Sequence, residues 1–204
     1  MNKLKDNANP DNKIALRQWL LTQLGGASAC RVLELFGGQG VLHDACYKDA
    51  KAHLAFDLKK VNRPTWLQGD NRVLLQNRVN GWDLYDLDAY AIPWQLAYDI
   101  VRMRSDGVFG MVVTCGMPRP FCSGHVHPFI RKKVGLGGMD FDGCGILWRY
   151  YDDVVNIMLT DMREKYGVRV IAAKRSWANE QHKNASPSYF AFFMQKGVTP
   201  PAVL

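Results

Sequence analysis

Apolar residues at 14, 16, 19, 20, 21 and 24 recur at the spacing of one helical face, and Gly25-Gly26 follows as a stop, so the pattern predicts an opening helix over 14–24. A short apolar run, 31–36, ends at Gly37-Gly38-Gln39-Gly40 and predicts a strand and tight turn, with a helix beginning in 41–48. Further strands are predicted at 52–56, at 84–87 and at 107–114, where the last is apolar almost throughout, as a strand covered on both faces requires. Trp94 opens a helical stretch to Met103. A second stretch, 147–166, places Leu147, Tyr151, Val154, Val155, Met158, Leu159 and Met162 on one stripe. Strands at 168–173 and 189–195 close the series. Helices alternating with strands give an α/β sheet with helices on both faces.

The chain has 204 residues, enough for one domain with a real core. Residues 14–198 are expected to form it, flanked by a polar tail at 1–13 and a short Pro-containing tail at 199–204. Hydrophobic residues at 48% and charged residues at 22% exclude a disordered or coiled-coil chain. Neither a signal peptide nor an apolar run long enough to span a bilayer is visible, so a cytoplasmic location and no membrane partner are expected. Five cysteines form no even, closely spaced framework, which fits a reducing compartment. With 26 basic and 19 acidic side chains the net charge is +7, which favours an anionic partner.

The turn after the first strand is where an open α/β sheet binds its ligands. Here it reads Glu34-Leu35-Phe36-Gly37-Gly38-Gln39-Gly40, and it fails the dinucleotide pattern because His43 stands where a third glycine belongs. The acid, the phenylalanine and the glycines Gly38 and Gly40 resemble motif I of class I S-adenosylmethionine (SAM) methyltransferases. That resemblance implies a Rossmann-like fold with a mostly parallel seven-stranded sheet, and SAM as cofactor. It also implies a cofactor site of Glu34, Phe36, Gly37, Gly38 and Gly40 with Asp57 and Leu58 after the second strand and, in Leu67-Gln68-Gly69-Asp70-Asn71 after a third strand expected before 84–87, Asp70 and Asn71. Asp57 would take the ribose hydroxyls, since a carboxylate is a two-oxygen acceptor, and Asp70 the adenine amino group.

After the fourth strand comes Asp86-Leu87-Asp88-Ala89-Tyr90-Ala91-Ile92-Pro93. Asp86, Asp88, Tyr90 and Pro93 resemble the corresponding segment of tRNA guanine N2 dimethyltransferases, whereas Ala89, Ala91 and Ile92 depart from it. A carboxylate that accepts an exocyclic N–H makes the amine nitrogen more nucleophilic and aims it at the methyl group. Asp88 is therefore the catalytic candidate, with Tyr90 as a stacking surface and Pro93 in the same loop. The competing reading makes Asp88 a helix N-cap. A C5-pyrimidine mechanism would need a cysteine here, and none lies between Asp83 and Trp94.

The loop expected over 117–145 holds Arg119, Arg131, Lys132 and Lys133 against Asp140 and Asp142; the loop expected over 174–187 holds Lys174, Arg175 and Lys183 against Glu180. Arg119, Arg131, Lys132, Lys133, Lys174, Arg175 and Trp177 are the candidate substrate contacts, a mix of cations and an aromatic that suits phosphates and unstacked bases. Cys115, Cys122, His125 and His127 do not follow a standard zinc spacing, and no metal is expected. The sequence thus favours a SAM-dependent methyltransferase acting on RNA or DNA, at an exocyclic base amine. A small-molecule methyltransferase and a non-catalytic nucleic-acid-binding subunit, alone or with a protein partner, stay open.

Overall fold

The structure, a computed structural model, describes residues 10–89, 93–115, 128–135, 151–178 and 188–197. Seven strands form one sheet: β1 (Arg31–Glu34), β2 (Ala52–Asp57), β3 (Trp66–Gln68), β4 (Leu84–Leu87), β5 (Gly107–Cys115), β6 (Val168–Trp177) and β7 (Ser188–Lys196). Their spatial order is β3-β2-β1-β4-β5-β7-β6, with β7 antiparallel to both of its neighbours and the other pairs parallel. The chain runs outward from β1 to β3 and then returns to pair β4 with β1. The order reverses between those two strands, which places a ligand crevice at their carboxyl ends.

The helices are α1 (Pro10–Gln23), α2 (Asn71–Gln76), α3 (Trp94–Met103), α4 (Pro128–Lys133) and α5 (Tyr151–Tyr166). Val32, Leu84, Val112, Tyr189 and Ala191 carry one sheet face against α1 and a short π-helical turn, His43–Tyr47. Leu33, Leu35, Phe56, Tyr85, Leu87, Phe109, Met111 and Val113 carry the other against α2, α3, α4 and α5. Gly110 lets α1 approach β5: a Cβ there would stand 2.9 Å from Leu24 and 3.0 Å from Leu20.

Two expected boundaries are corrected. Helix α1 starts at Pro10 and not at residue 14, because polar anchors extend it: Asn12 donates to the carbonyl of Trp177 at 2.8 Å, and Lys13 is buried. Strand β6 continues to Trp177, through residues expected in a loop. Lys174, Arg175, Ser176 and Trp177 pair with Ala191, Phe190, Tyr189 and Ser188, so the ladder with β7 overrides their weak strand signal. The helix expected from 147 is described from Tyr151 onward.

Candidate active site

The turn after β1 is shaped by what its glycines allow. At Gly37 a Cβ would stand 2.6 Å from Trp66 Nε1 and 2.8 Å from the Cβ of Ala55, so only glycine lets the turn lie against β2 and β3. Gly38, at φ 49°, has nothing within 4 Å of the position of a Cβ, so its surface is open. The Gly38 N–H donates to Asp57 Oδ2 at 2.9 Å, and the Lys59 N–H to Asp57 Oδ1 at 2.8 Å. Asp57 therefore ties the end of β2 to the glycine turn, and each of its oxygens keeps a further lone pair. Beside it Leu58 is 70% exposed, an unusual position for a large apolar side chain. Phe36 is partly buried against the larger core.

Asp70 caps α2, accepting the Arg72 N–H at 2.8 Å, and that backbone bond with the Arg72 side chain holds its carboxyl below the usual range. Asn71 is buried and donates to the Leu35 carbonyl at the end of β1, while its Oδ1 has no partner among the described residues. Opposite, Arg63 lies against Gly40 and forms a two-pronged ion pair with Asp44 at 2.6 and 2.7 Å.

Glu34, one of the expected cofactor contacts, has a partner within the fold. It is 1% exposed and its Oε2 lies 3.1 Å from His53 Nε2. Burial, then His43 and Arg63, pull His53 down to about 3. Burial, then Asp86, push Glu34 well above the usual carboxylate range. Both shifts favour the neutral forms of the pair, and His53 Nδ1 lies 3.1 Å from Thr65 Oγ1. The reason for this placement is topological: Glu34 shares a sheet face with Ala55 and Asp86, under the π-helical turn.

At the end of β4 two acids meet two cations from α1. Asp86 is fully buried and accepts from Arg17 Nε at 2.6 Å, from Arg17 Nη2 at 2.7 Å and from the Tyr47 hydroxyl at 2.6 Å. Asp88 Oδ2 accepts from Lys13 Nζ at 2.8 Å, Asp88 Oδ1 accepts from Thr114 Oγ1 at 2.5 Å, and Arg17 Nη2 lies 3.9 Å away. Burial alone would raise the Asp88 carboxyl, but Arg17 and then Lys13 outweigh it and hold it below the usual range. Asp88 is not a cap: the residue before α3 is Pro93, at φ −78°. Tyr90 lies outside the described residues.

Lys13, Arg17, Tyr47 and Thr114 complete this cluster, and none was singled out from sequence. The available signal was Lys13 and Arg17 standing four residues apart in register with Leu16 and Leu20, a basic pair on an apolar stripe.

Two cations of the expected basic edge have acidic partners within the fold. Lys133 Nζ donates to Asp161 Oδ2 at 2.9 Å and stands 4.2 Å from the ring centre of Tyr98, so it braces α4 on α5. Arg175 is ion-paired with Asp152 and stacks at 4.4 Å on Trp177 and 5.0 Å on Phe190. Both cations are neutralised in the fold. Lys132 and Lys174 are exposed, and Arg131 is half-buried. Arg119, Lys183, Cys122, His125 and His127 lie outside the described residues, as does the side chain of Cys115.

No family model matches the chain, and no curated protein does. Solved structures do match. A protein of Streptococcus thermophilus provisionally named a hemolysin aligns at a TM-score of 0.56 and 11% identity, over 98% of this chain and 72% of that one. A protein of Klebsiella pneumoniae provisionally named an O-methyltransferase aligns at 0.53 and 12% identity, over 95% and 83%. TYW2 of M. jannaschii, solved in complex with AdoMet, aligns at 0.50 and 13% identity, over 96% and 79%. With the strand order above, these likenesses define the fold: it is the Rossmann-like fold of class I methyltransferases.

Proposed function

We propose that the chain is a SAM-dependent methyltransferase acting on nucleic acid, at an exocyclic base amine. The observation that carries this reading is the convergence, at the sheet's switch point, of an open glycine turn tied to Asp57 with an ionised carboxylate, Asp88, at the end of β4. The residues present suit SAM. Asp57 has lone pairs for ribose hydroxyls, Leu58 offers exposed apolar surface for an adenine, and the buried Asn71 Oδ1, without a partner among the described residues, is an acceptor awaiting a donor. Gly38 leaves room for the methionine portion.

The bound cofactor would supply an electrophilic methyl group on a sulfonium. What this chain supplies is alignment and charge. Asp88 accepts an amine N–H through a lone pair not used by Lys13 or Thr114, orienting the nitrogen and stabilising the charge it gains as the bond forms. Tyr90 and Pro93, in the same loop, are assigned to hold the base. The net charge of +7 and the exposed Lys132 and Lys174 support a polyanionic partner.

The test is transfer of labelled methyl from SAM to total cellular RNA and to sheared genomic DNA, followed by nucleoside analysis. Asp88→Ala is expected to lower turnover by roughly 100-fold or more with SAM affinity unchanged. Normal turnover in a folded Asp88→Ala protein removes Asp88 from the mechanism. Efficient methylation of a small anion with none of nucleic acid favours a small-molecule substrate, and absence of SAM binding ends the methyltransferase reading.

A further inference from the structure

Lys13 and Arg17 lie one turn apart on α1 and reach neighbouring acids, but their situations differ. Arg17 is wholly enclosed, and Asp86 spends both oxygens on it while also accepting from Tyr47. That unit is an anchor of α1. Lys13 stands at the rim, its side chain 10% exposed, against an Asp88 side chain 6% exposed. Thr114 alone would hold one Asp88 oxygen and leave the carboxylate free to turn about its Cβ–Cγ bond. The ammonium on the second oxygen fixes the plane, leaving one lone pair on each oxygen with a defined direction.

We propose that Lys13 is a positioning residue for Asp88, fixing the carboxylate's plane and charge so that it can receive a substrate amine. The inference rests on the methyltransferase reading above and adds to it that the first turn of α1 belongs to the active site. The groups facing Asp88 are Lys13 and Arg17 from α1, Glu34 from β1, Thr114 from β5 and Tyr189 from β7, whose ring centre lies 5.4 Å from Lys13 Nζ, with Asp86 of β4 beyond the shared Arg17. Of these, Lys13 is the cation in direct contact. Removing it leaves Arg17 at 3.9 Å and raises the Asp88 carboxyl.

The test compares full-length wild type, Lys13→Met and Lys13→Arg. Methyl transfer from labelled SAM to total cellular RNA and sheared DNA gives kcat, its acid limb and KM; calorimetry gives SAM affinity. Aspartate carboxyl 13C labelling, with Asp88 assigned by Asp88→Asn, follows the same group without turnover. Lys13→Met is expected to lower kcat about 10- to 100-fold, leave SAM affinity unchanged, and move both the acid limb and the Asp88 titration to higher pH. Lys13→Arg should restore most of the rate and both titrations. An unchanged or faster kcat in folded Lys13→Met, beside an active wild type, overturns the positioning role and leaves the methyltransferase reading standing. An unmoved Asp88 titration overturns it as well, whatever the activity. A wild type that transfers to neither nucleic acid overturns the substrate reading and the positioning role of Lys13 with it.

Discussion

The two faces of the sheet solve the problem of burial with different chemistry. Under α2, α3 and α5 the side chains are apolar and aromatic, with Phe109, Tyr85, Trp94, Phe190 and Phe192 among them. Under α1 and the π-helical turn, Val32, Leu84 and Val112 share the face with Glu34, Asp86, Asp88, His53 and Thr114. The first face stabilises by area removed from water, which needs no specific partner. The second contains charges whose desolvation must be offset one by one: Arg17 with Asp86, Lys13 with Asp88, and Glu34 with His53 by staying neutral. Burying charge in this manner is a poor route to stability. It does fix the direction of a carboxylate at the switch point, which an apolar face cannot do.

Breaking one pair should show the contrast most strongly. Arg17→Leu, which strands Asp86 in the interior, is expected to lose about 3–5 kcal/mol in denaturant unfolding. Replacing Asp86 by Leu in the same chain should recover most of that loss. Phe109→Ala is expected to cost a similar ~3–5 kcal/mol, with no second-site substitution of this kind to rescue it. If the double replacement is no better than Arg17→Leu alone, the pair is not what the polar face is organised around.

Cofactor binding sharpens the comparison at the sheet edge. Asp57→Ala is expected to weaken SAM binding by about 1.5–3 kcal/mol in calorimetry, the value of hydrogen bonds to a charged acceptor. Tight NAD binding with no SAM heat would refute the cofactor assignment.

The pH dependence of stability should come from the polar face, with signs that differ by residue. His53 is held down, to about 3, so folding favours its neutral form and stability falls as pH drops below about 6.5. The lowered Asp88 adds stability that is present above the ordinary carboxylate range and lost as pH falls through its lowered value. Glu34 is raised, so its contribution is full at acid pH and declines as pH rises through its raised value. His53→Gln should flatten the loss between pH 6.5 and 4, and Glu34→Gln should remove the decline on the alkaline side. Urea midpoints measured across pH check both, and parallel curves for wild type and variants would contradict the assignments.

The smallest expected effect concerns the partner. Lys132→Ala and Lys174→Ala should each flatten the log–log salt dependence of single-stranded nucleic-acid binding by about 0.7 per lost phosphate contact. Lys133→Ala should act mainly on stability, because its ammonium is spent on Asp161. Equal slopes for all three would restore Lys133 to the binding surface.

Local patterns were legible where side chains report their own neighbours. The apolar run 107–114 read as a strand and is buried from Phe109 onward, Trp94 to Met103 read as a helix, and Gly37 to Gly40 marked the turn that the structure puts at the crevice. The contact of Glu34 with His53 was not legible, because a position in a motif says nothing of which face of β1 it occupies. The stacking of Arg175 was not legible either, because its aromatic neighbours Tyr151 and Phe190 come from other elements.

The sequence by itself determined the alternation of elements and the glycine turn with Asp57 after the next strand, because periodicity, turn chemistry and spacing are local properties. Only the tertiary structure decided that Lys13 and Arg17 neutralise Asp88 and Asp86, across 75 and 69 residues of chain. Which cation meets which buried acid is set by the docking of α1 against β5 and β7, and no local pattern encodes that pairing.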